Sequence, residues 1–192
     1  MQTLIDLDKK LLLFLNGINN PYLDPIMFYA TKTFIWLPLY LFLIFLIFKN
    51  YKQNGWFILL GAAVTILLAD QITYSIMKPF FARLRPSHEP SLEGLVHIVN
   101  GYKGGLYGFA SSHAANTFGA ALLVWQALKK FYSVGWVFLW AAFITYTRIY
   151  LGVHYPGDII VGAVIGLGCG WVGFSLSEWL INRFSKSPTT LG

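Results

Sequence analysis

The chain has 192 residues, a single-domain size. It is 56% hydrophobic and 11% charged, against roughly 25% charged residues in soluble domains. Too few polar groups are present to cover a water-facing surface, which excludes an ordinary soluble domain and makes the bilayer the expected solvent. The net charge of +6 falls at the ends of apolar runs and inside three polar clusters, so it points to membrane topology and anion binding rather than to nucleic acid.

In chain order, Leu4, Leu7, Leu11, Leu12 and Phe14 approximate a helical stripe, with Asp6, Asp8, Lys9 and Lys10 off it. This predicts an interfacial amphipathic helix within residues 1–20, too short to span, closed by the turn-rich stretch Asn16–Pro21. Residues 1–10 mix acidic and basic side chains, and the run Leu11–Leu15 lacks a small-residue cleavage site, so no cleavable signal peptide is expected. A membrane crossing takes about 20 mostly apolar residues. Five runs approach this, at about residues 25–48, 55–77, 112–128, 134–150 and 157–181. Pro38 is expected to kink the first or to sit where a neighbour compensates. The expected fold is therefore all-α: one domain over residues 1–192, a polytopic transmembrane bundle of about five spans plus the N-terminal helix. A loop at 78–111 and a flexible tail at 182–192 complete it.

Lys49 and Lys52, Lys129 and Lys130, and Arg183 and Lys186 then share one side, which positive residues assign to the cytoplasm. The polar clusters fall on the other side. The glycine-rich stretch 80–109 reads equally as a lid or as a plain connector. Asp70, inside the second run, predicts a polar contact between helices or a role in positioning Tyr74 and Lys78, which follow at steps of four. Gly162, Gly166 and Gly170 form a small-residue stripe for close helix packing, and Cys169 reads as a small packing residue with no internal disulfide partner. Arg83 reads as a solvated or interfacial arginine. His88 and His97, with Glu89 and Glu93, read as exposed loop polarity rather than a metal site.

The clusters carry the chemistry. The first runs Lys78-Pro-Phe-Phe-Ala-Arg-Leu-Arg85-Pro86, the second is Ala110-Ser111-Ser112-His113, and the third runs from Thr147-Arg148 to His154 and Asp158. Lys78, Arg85 and Arg148 can neutralise a phosphoryl group, and arginine offers a planar fork to its oxygens. Ser111 can donate a hydroxyl hydrogen bond. Ser112 and His113 open a predicted helix whose free N–H groups suit an anion, with Ser111 or Ser112 as its N-cap. Two histidines can serve as a nucleophile and a proton donor. Asp158, four residues past His154, can orient one ring nitrogen and raise the nucleophilicity of the other.

This order and spacing resemble the signature of the type 2 phosphatidic acid phosphatase superfamily, on its membrane lipid phosphatase branch. The family pattern is Lys, six residues, Arg-Pro; then Pro-Ser-Gly-His; then Ser-Arg, five residues, His, three residues, Asp. The resemblance covers Lys78 to Asp158. It implies that His154 attacks phosphorus to form a phosphohistidine, and that His113 protonates the leaving oxygen and later activates water. It implies that Lys78, Arg85, Ser111 and Arg148 hold the phosphoryl oxygens, with Ser112 lending its N–H, and that neither metal nor cofactor is required. Ala110, Ser112 and Thr147 stand where the pattern has Pro, Gly and Ser. Ser112 is tolerable in a helical conformation and costly in a left-handed one.

The resemblance thus implies an integral membrane phosphatase acting on a lipid phosphomonoester or pyrophosphate. Undecaprenyl pyrophosphate, phosphatidylglycerol phosphate, phosphatidic acid and lipid A phosphate all fit that description. The partners expected are this substrate and membrane lipids, with no nucleic acid, and the location a bacterial cytoplasmic membrane with the site on its extracytoplasmic side. Two alternatives are a lipid phosphotransferase using the same intermediate and a non-catalytic membrane protein with a relict phosphate site.

Overall fold

A computed structural model describes residues 2–185. The helices are α1 Gln2–Asn16, α2 Leu23–Ala30, α3 Leu37–Tyr51, α4 Gly55–Asp70, α5 Lys78–Phe81, α6 Ser112–Leu128, α7 Trp136–Tyr150 and α8 Pro156–Phe184. A π-wound stretch, Gln71–Met77, joins α4 to α5 without a break. Among the described residues the β-structure is one isolated bridge, Leu84 with Tyr107. Of the stretch 182–192 expected as a flexible tail, residues 182–184 are the last turn of α8, which is helical to Phe184. Residues 186–192 lie outside the described residues.

The run expected to form one span at 25–48 is broken. Lys32 is extended (φ −85°, ψ 128°), a 3₁₀ turn covers Thr33–Trp36, and Pro38 sits in the first turn of α3. A proline there loses no helical hydrogen bond, so it starts a helix instead of kinking one. The next break is Lys52, whose φ of 53° ends α3. Across this turn Tyr40, Leu43, Ile44 and Ile47 of α3 face Leu59 and Ala62 of α4, so α3 and α4 form an antiparallel hairpin. Among the described residues, Thr33–Phe81, which contains that hairpin, and Pro156–Phe184 are the stretches long and apolar enough to cross a membrane. α6 and α7, with 17 and 15 residues, fall short of the usual crossing length of about 20.

α8 is the centre of the molecule. Its glycine stripe lets backbones touch: a Cβ on Gly162 would strike the Ser111 carbonyl, on Gly166 that of Ala115, and on Gly170 that of Gly119, all on or beside α6. One turn further, Gly173 meets Gly61 and Thr65 of α4 in the same way. Ser177 Oγ donates to Phe57 O across that contact at 3.0 Å. Gly166→Val is expected to push α6 off α8 and lower the thermal midpoint in detergent, the cost being about 3 kcal/mol. An unchanged midpoint would show that the helices can separate freely. Leu41, Leu67, Leu139 and Val164 are all more than half exposed on the outside of the bundle, as a lipid-facing surface requires.

The helix directions collect the clusters. The C-termini of the α4–α5 rod and of α7 meet the N-termini of α6 and α8 at one end. At the other end Tyr51 OH donates to Ala127 O (2.9 Å) and Asn54 Nδ2 to Ser185 Oγ (3.0 Å). α1 forms where the amphipathic helix is expected, and it also packs on the bundle. Leu4, Leu7, Leu11 and Phe14 do face outward, but Leu12 and Asn16 are buried. Asn16 Nδ2 donates to the last carbonyls of α7, Ile149 O (3.1 Å) and Tyr150 O (2.7 Å), and its Oδ1 accepts from His97 N (2.7 Å). The buried amide satisfies groups that a helix C-terminus leaves open, and it fastens α1 over the clustered end.

Candidate active site

Lys78 leaves the π-wound stretch and donates to Ser112 Oγ at 2.8 Å; Thr73 Oγ1 is bonded to the same oxygen at 2.8 Å. Wider π-winding turns residues away from α-helical register, and here it sets both partners of Ser112 on the α6 side. Asp70 meets the same helix, accepting from Asn116 Nδ2 at 3.0 Å. The expected loop at 78–111 thus starts as helix and leaves it at Ala82, which is left-handed (φ 43°). Residues 83–85 then pair with 106–108: Gly108 N donates to Arg83 O (2.9 Å) and Arg85 N to Leu106 O (3.0 Å). Alternate residues of an extended segment face one way, so Arg83 and Arg85 enter the site together.

Ser111 is the N-cap of α6, its Oγ accepting from Ala114 N at 3.4 Å, and its own N–H donates to Asp158 O at 3.0 Å. Ser112 is the first helical residue, so the costly left-handed alternative does not arise. His113, one step on, lines a groove of about 500 Å³ with Thr31, Trp36, Tyr40, Asn116 and Trp140. The charges of Arg148, Arg85 and Lys78, together with His154, act on its ring.

The third cluster is shaped by two helix ends. α7 stops in a Schellman turn: Gly152 is left-handed (φ 68°), its N–H donates to Ile149 O (2.9 Å), and Val153 N–H donates to Arg148 O (3.1 Å). Three residues later Pro156 starts α8, where its missing N–H costs nothing. His154 lies in the link, 1% exposed. Arg148 is 2% exposed. Its Nη1 donates to Thr31 Oγ1 (2.7 Å) and its Nη2 to Tyr102 OH (3.2 Å), while buried Nε has no partner among the described residues.

His154 Nδ1 stands 3.2 Å from Asp158 Oδ2, and its Nε2 stands 3.0 Å from Arg85 Nη1. A guanidinium can only donate. Nε2 must therefore accept, and the proton lies on Nδ1, donated to the carboxylate. Asp158 Oδ2 also accepts from Tyr155 N at 3.0 Å, so the residue that caps α8 also aims the imidazole. Burial, then the positive charges of Arg85 and Arg148, hold the ring well below the ordinary histidine range. Depression favours the neutral ring, so protonation requires acidity well beyond pH 6.5. In ¹⁵N-histidine-labelled protein, with His154→Ala as the assignment control, this ring should remain the neutral Nδ1–H tautomer at pH 6. A cationic ring at that pH would contradict the geometry.

All eight residues singled out from the sequence, Lys78, Arg85, Ser111, Ser112, His113, Arg148, His154 and Asp158, come to this one end. Arg83 is a correction. It was expected in solvent or at the membrane interface, and it bridges two carboxylates: Nη1 donates to Asp158 Oδ1 (2.9 Å) and Nη2 to Asp8 Oδ2 (2.7 Å), with the guanidinium 3.8 Å over the Tyr155 ring. Spacing of two from Arg85 was the available signal. Thr73, Tyr102 and Thr31 were also unforeseen partners, as was Gly108, where a Cβ would stand 3.1 Å from Asp158 Oδ2. His97, expected as exposed loop polarity, pairs with Asp24 at 2.8 Å.

A match to the PAP2 superfamily covers residues 56–182. The Lipid A 4'-phosphatase of Bacteroides thetaiotaomicron is 40% identical over 100% of this chain and 86% of its own. The crystal structure of Aquifex aeolicus LpxE aligns with a TM-score of 0.66 and 29% identity, covering 88% of this chain and 95% of that one. A transmembrane PAP2-type phosphatidylglycerolphosphate phosphatase from Bacillus subtilis has a TM-score of 0.67 at 22% identity, over 97% of this chain and 90% of its own, a likeness of fold. The chain belongs to the PAP2 superfamily, on its membrane lipid phosphatase branch.

Proposed function

We propose that the protein removes a phosphate from a phosphorylated glycolipid, lipid A 4'-phosphate first among the candidates, through a phosphohistidine on His154. The observation that carries this reading is the clamped, neutral imidazole, proton toward Asp158 and lone pair toward Arg85. A phosphoryl group entering beside Nε2 takes over Arg85, and Arg148 Nε, Lys78 and the N-terminus of α6 offer further donors. Nε2 attacks phosphorus, the P–O ester bond breaks, and the leaving alkoxide takes a proton from His113. His113 then accepts a proton from water, the hydroxide displaces His154, and inorganic phosphate departs.

The lipid tail has a place. The groove at His113 shares Tyr40, Ala120 and Trp140 with an apolar cavity of about 160 Å³ between α3, α4, α6 and α7, and an acyl chain suits its lining. We read the α3 to α8 region as five crossings, with short α6 and α7 tilted little. Lys52, Lys129, Lys130 and Arg183 lie away from the site, and this charge pattern supports our reading of a site on the extracytoplasmic face of the cytoplasmic membrane. The test is phosphate release from purified lipid A bisphosphate, phosphatidic acid, phosphatidylglycerol phosphate and undecaprenyl pyrophosphate in detergent. Lipid A bisphosphate should give the highest kcat/KM, with loss of the 4'-phosphate by mass spectrometry. No release from any of the four would refute the hydrolase reading.

A further inference from the structure

α1 carries a carboxylate into the site, and the family signature does not include it. Asp8 Oδ2 accepts from Arg83 Nη2 at 2.7 Å; Arg83 Nη1 donates to Asp158 Oδ1 at 2.9 Å; Asp158 Oδ2 holds His154 Nδ1 at 3.2 Å. Asp8 Oδ1 also accepts from the Gly157 N–H at 2.8 Å. The same carboxylate thus reaches Asp158 twice, through a guanidinium and through the backbone that carries it. Position 157 is shaped for the contact, because a Cβ there would stand 2.8 Å from Asp8 Oδ2. The side chains run from 16% exposed at Asp8 and 25% at Arg83 to 0% at Asp158. Asp8 is held in place by the part of α1 that follows it, through Lys9, which donates to Ser91 Oγ at 2.8 Å, and through Asn16 on the end of α7.

We infer that Asp8 is a positioning residue for the His154–Asp158 pair, acting through Arg83 and the Gly157 N–H; this rests on the proposal that His154 is the nucleophile. With one carboxylate, Arg83 could swing about its bond to Asp158. With two, and with the Tyr155 ring beneath it, the guanidinium plane is fixed. Asp158 then keeps one oxygen on Arg83 and the other on His154. The amphipathic helix so becomes part of the machinery that aims the imidazole, in addition to any anchoring on lipid.

The test measures kcat, KM and thermal midpoint for the full chain in detergent and for Asp8→Asn, Asp8→Ala, Arg83→Ala, the Asp8→Asn/Arg83→Ala double variant and His154→Ala. Asp8→Asn keeps an acceptor for the Gly157 N–H but loses the charge on Arg83. Its kcat should fall about 10–100-fold with KM within about two-fold and the midpoint preserved. The Asp8→Asn/Arg83→Ala double variant should be no slower than Arg83→Ala alone, since Asn keeps the Gly157 contact and only the route through Arg83 is lost in both. Wild-type kcat in Asp8→Asn overturns the inference. So does a double variant slowed by the product of the single effects, or a kcat loss that only follows loss of folded protein. Those results leave the His154 reading standing, provided His154→Ala is inactive. Full activity in His154→Ala removes that reading and this inference together.

Discussion

His154→Ala is expected to cut phosphate release by about 10⁴-fold or more while leaving the protein folded. The loss is large because no neighbour can replace the ring: in the proposed mechanism His113 is used on the leaving oxygen, and the hydroxyls of Ser111 and Ser112 are committed to the α6 cap and to Lys78. The fold should survive because the partners of His154 are held elsewhere. Asp158 keeps Arg83 and the Tyr155 N–H, and Arg85 keeps the carbonyls of Val153 (3.1 Å) and Tyr107 (3.2 Å). Phosphate release and thermal unfolding measured on one preparation check both halves. Near-normal turnover would remove the proposed nucleophile.

Arg148→Lys is expected to lower kcat/KM by about 10²–10³-fold. Arg148 spends two nitrogens on Thr31 and Tyr102 and keeps Nε over. A lysine ammonium cannot reproduce three donors in that fork: whichever contact it keeps, the phosphate or the anchoring hydroxyls lose theirs. Orthovanadate, a tetrahedral oxyanion of phosphate shape, should inhibit the unchanged protein at millimolar concentration and require at least about ten times more in Arg148→Lys. Equal inhibition of both would mean that Arg148 does not face the phosphoryl oxygens.

Much of this site was legible because its residues obey local rules. Schellman turns and N1 prolines follow from short-range geometry, so the spacing of Arg148, His154 and Asp158 carried information about their meeting. The stripe Gly162, Gly166 and Gly170 announced close packing, and the neighbouring carbonyls supply the reason. Asp8 was illegible for the opposite reason. A carboxylate on an amphipathic helix looks solvated, and its partner lies 75 positions away. Arg83 reads from sequence as a solvated or interfacial arginine, and only the extended pairing with residues 106–108 sets it on one face with Arg85. The break at Lys32 falls in the short polar patch Thr31-Lys32-Thr33, which averaging over a span-length window smooths away. The π-wound stretch before Lys78 had no sequence signal.

The central claim is that Nε2 of His154 takes the phosphoryl group. The direct measurement is rapid quench of His113→Ala with a ³²P-labelled nitrophenyl phosphate, whose leaving group departs without the proton His113 would give while the base proposed for the water step is also missing, followed by peptide mapping. The expected result is an alkali-stable, acid-labile label on the peptide carrying His154, absent when His154→Ala is added. Label on a serine peptide, or turnover with no labelled protein at any time, would contradict it.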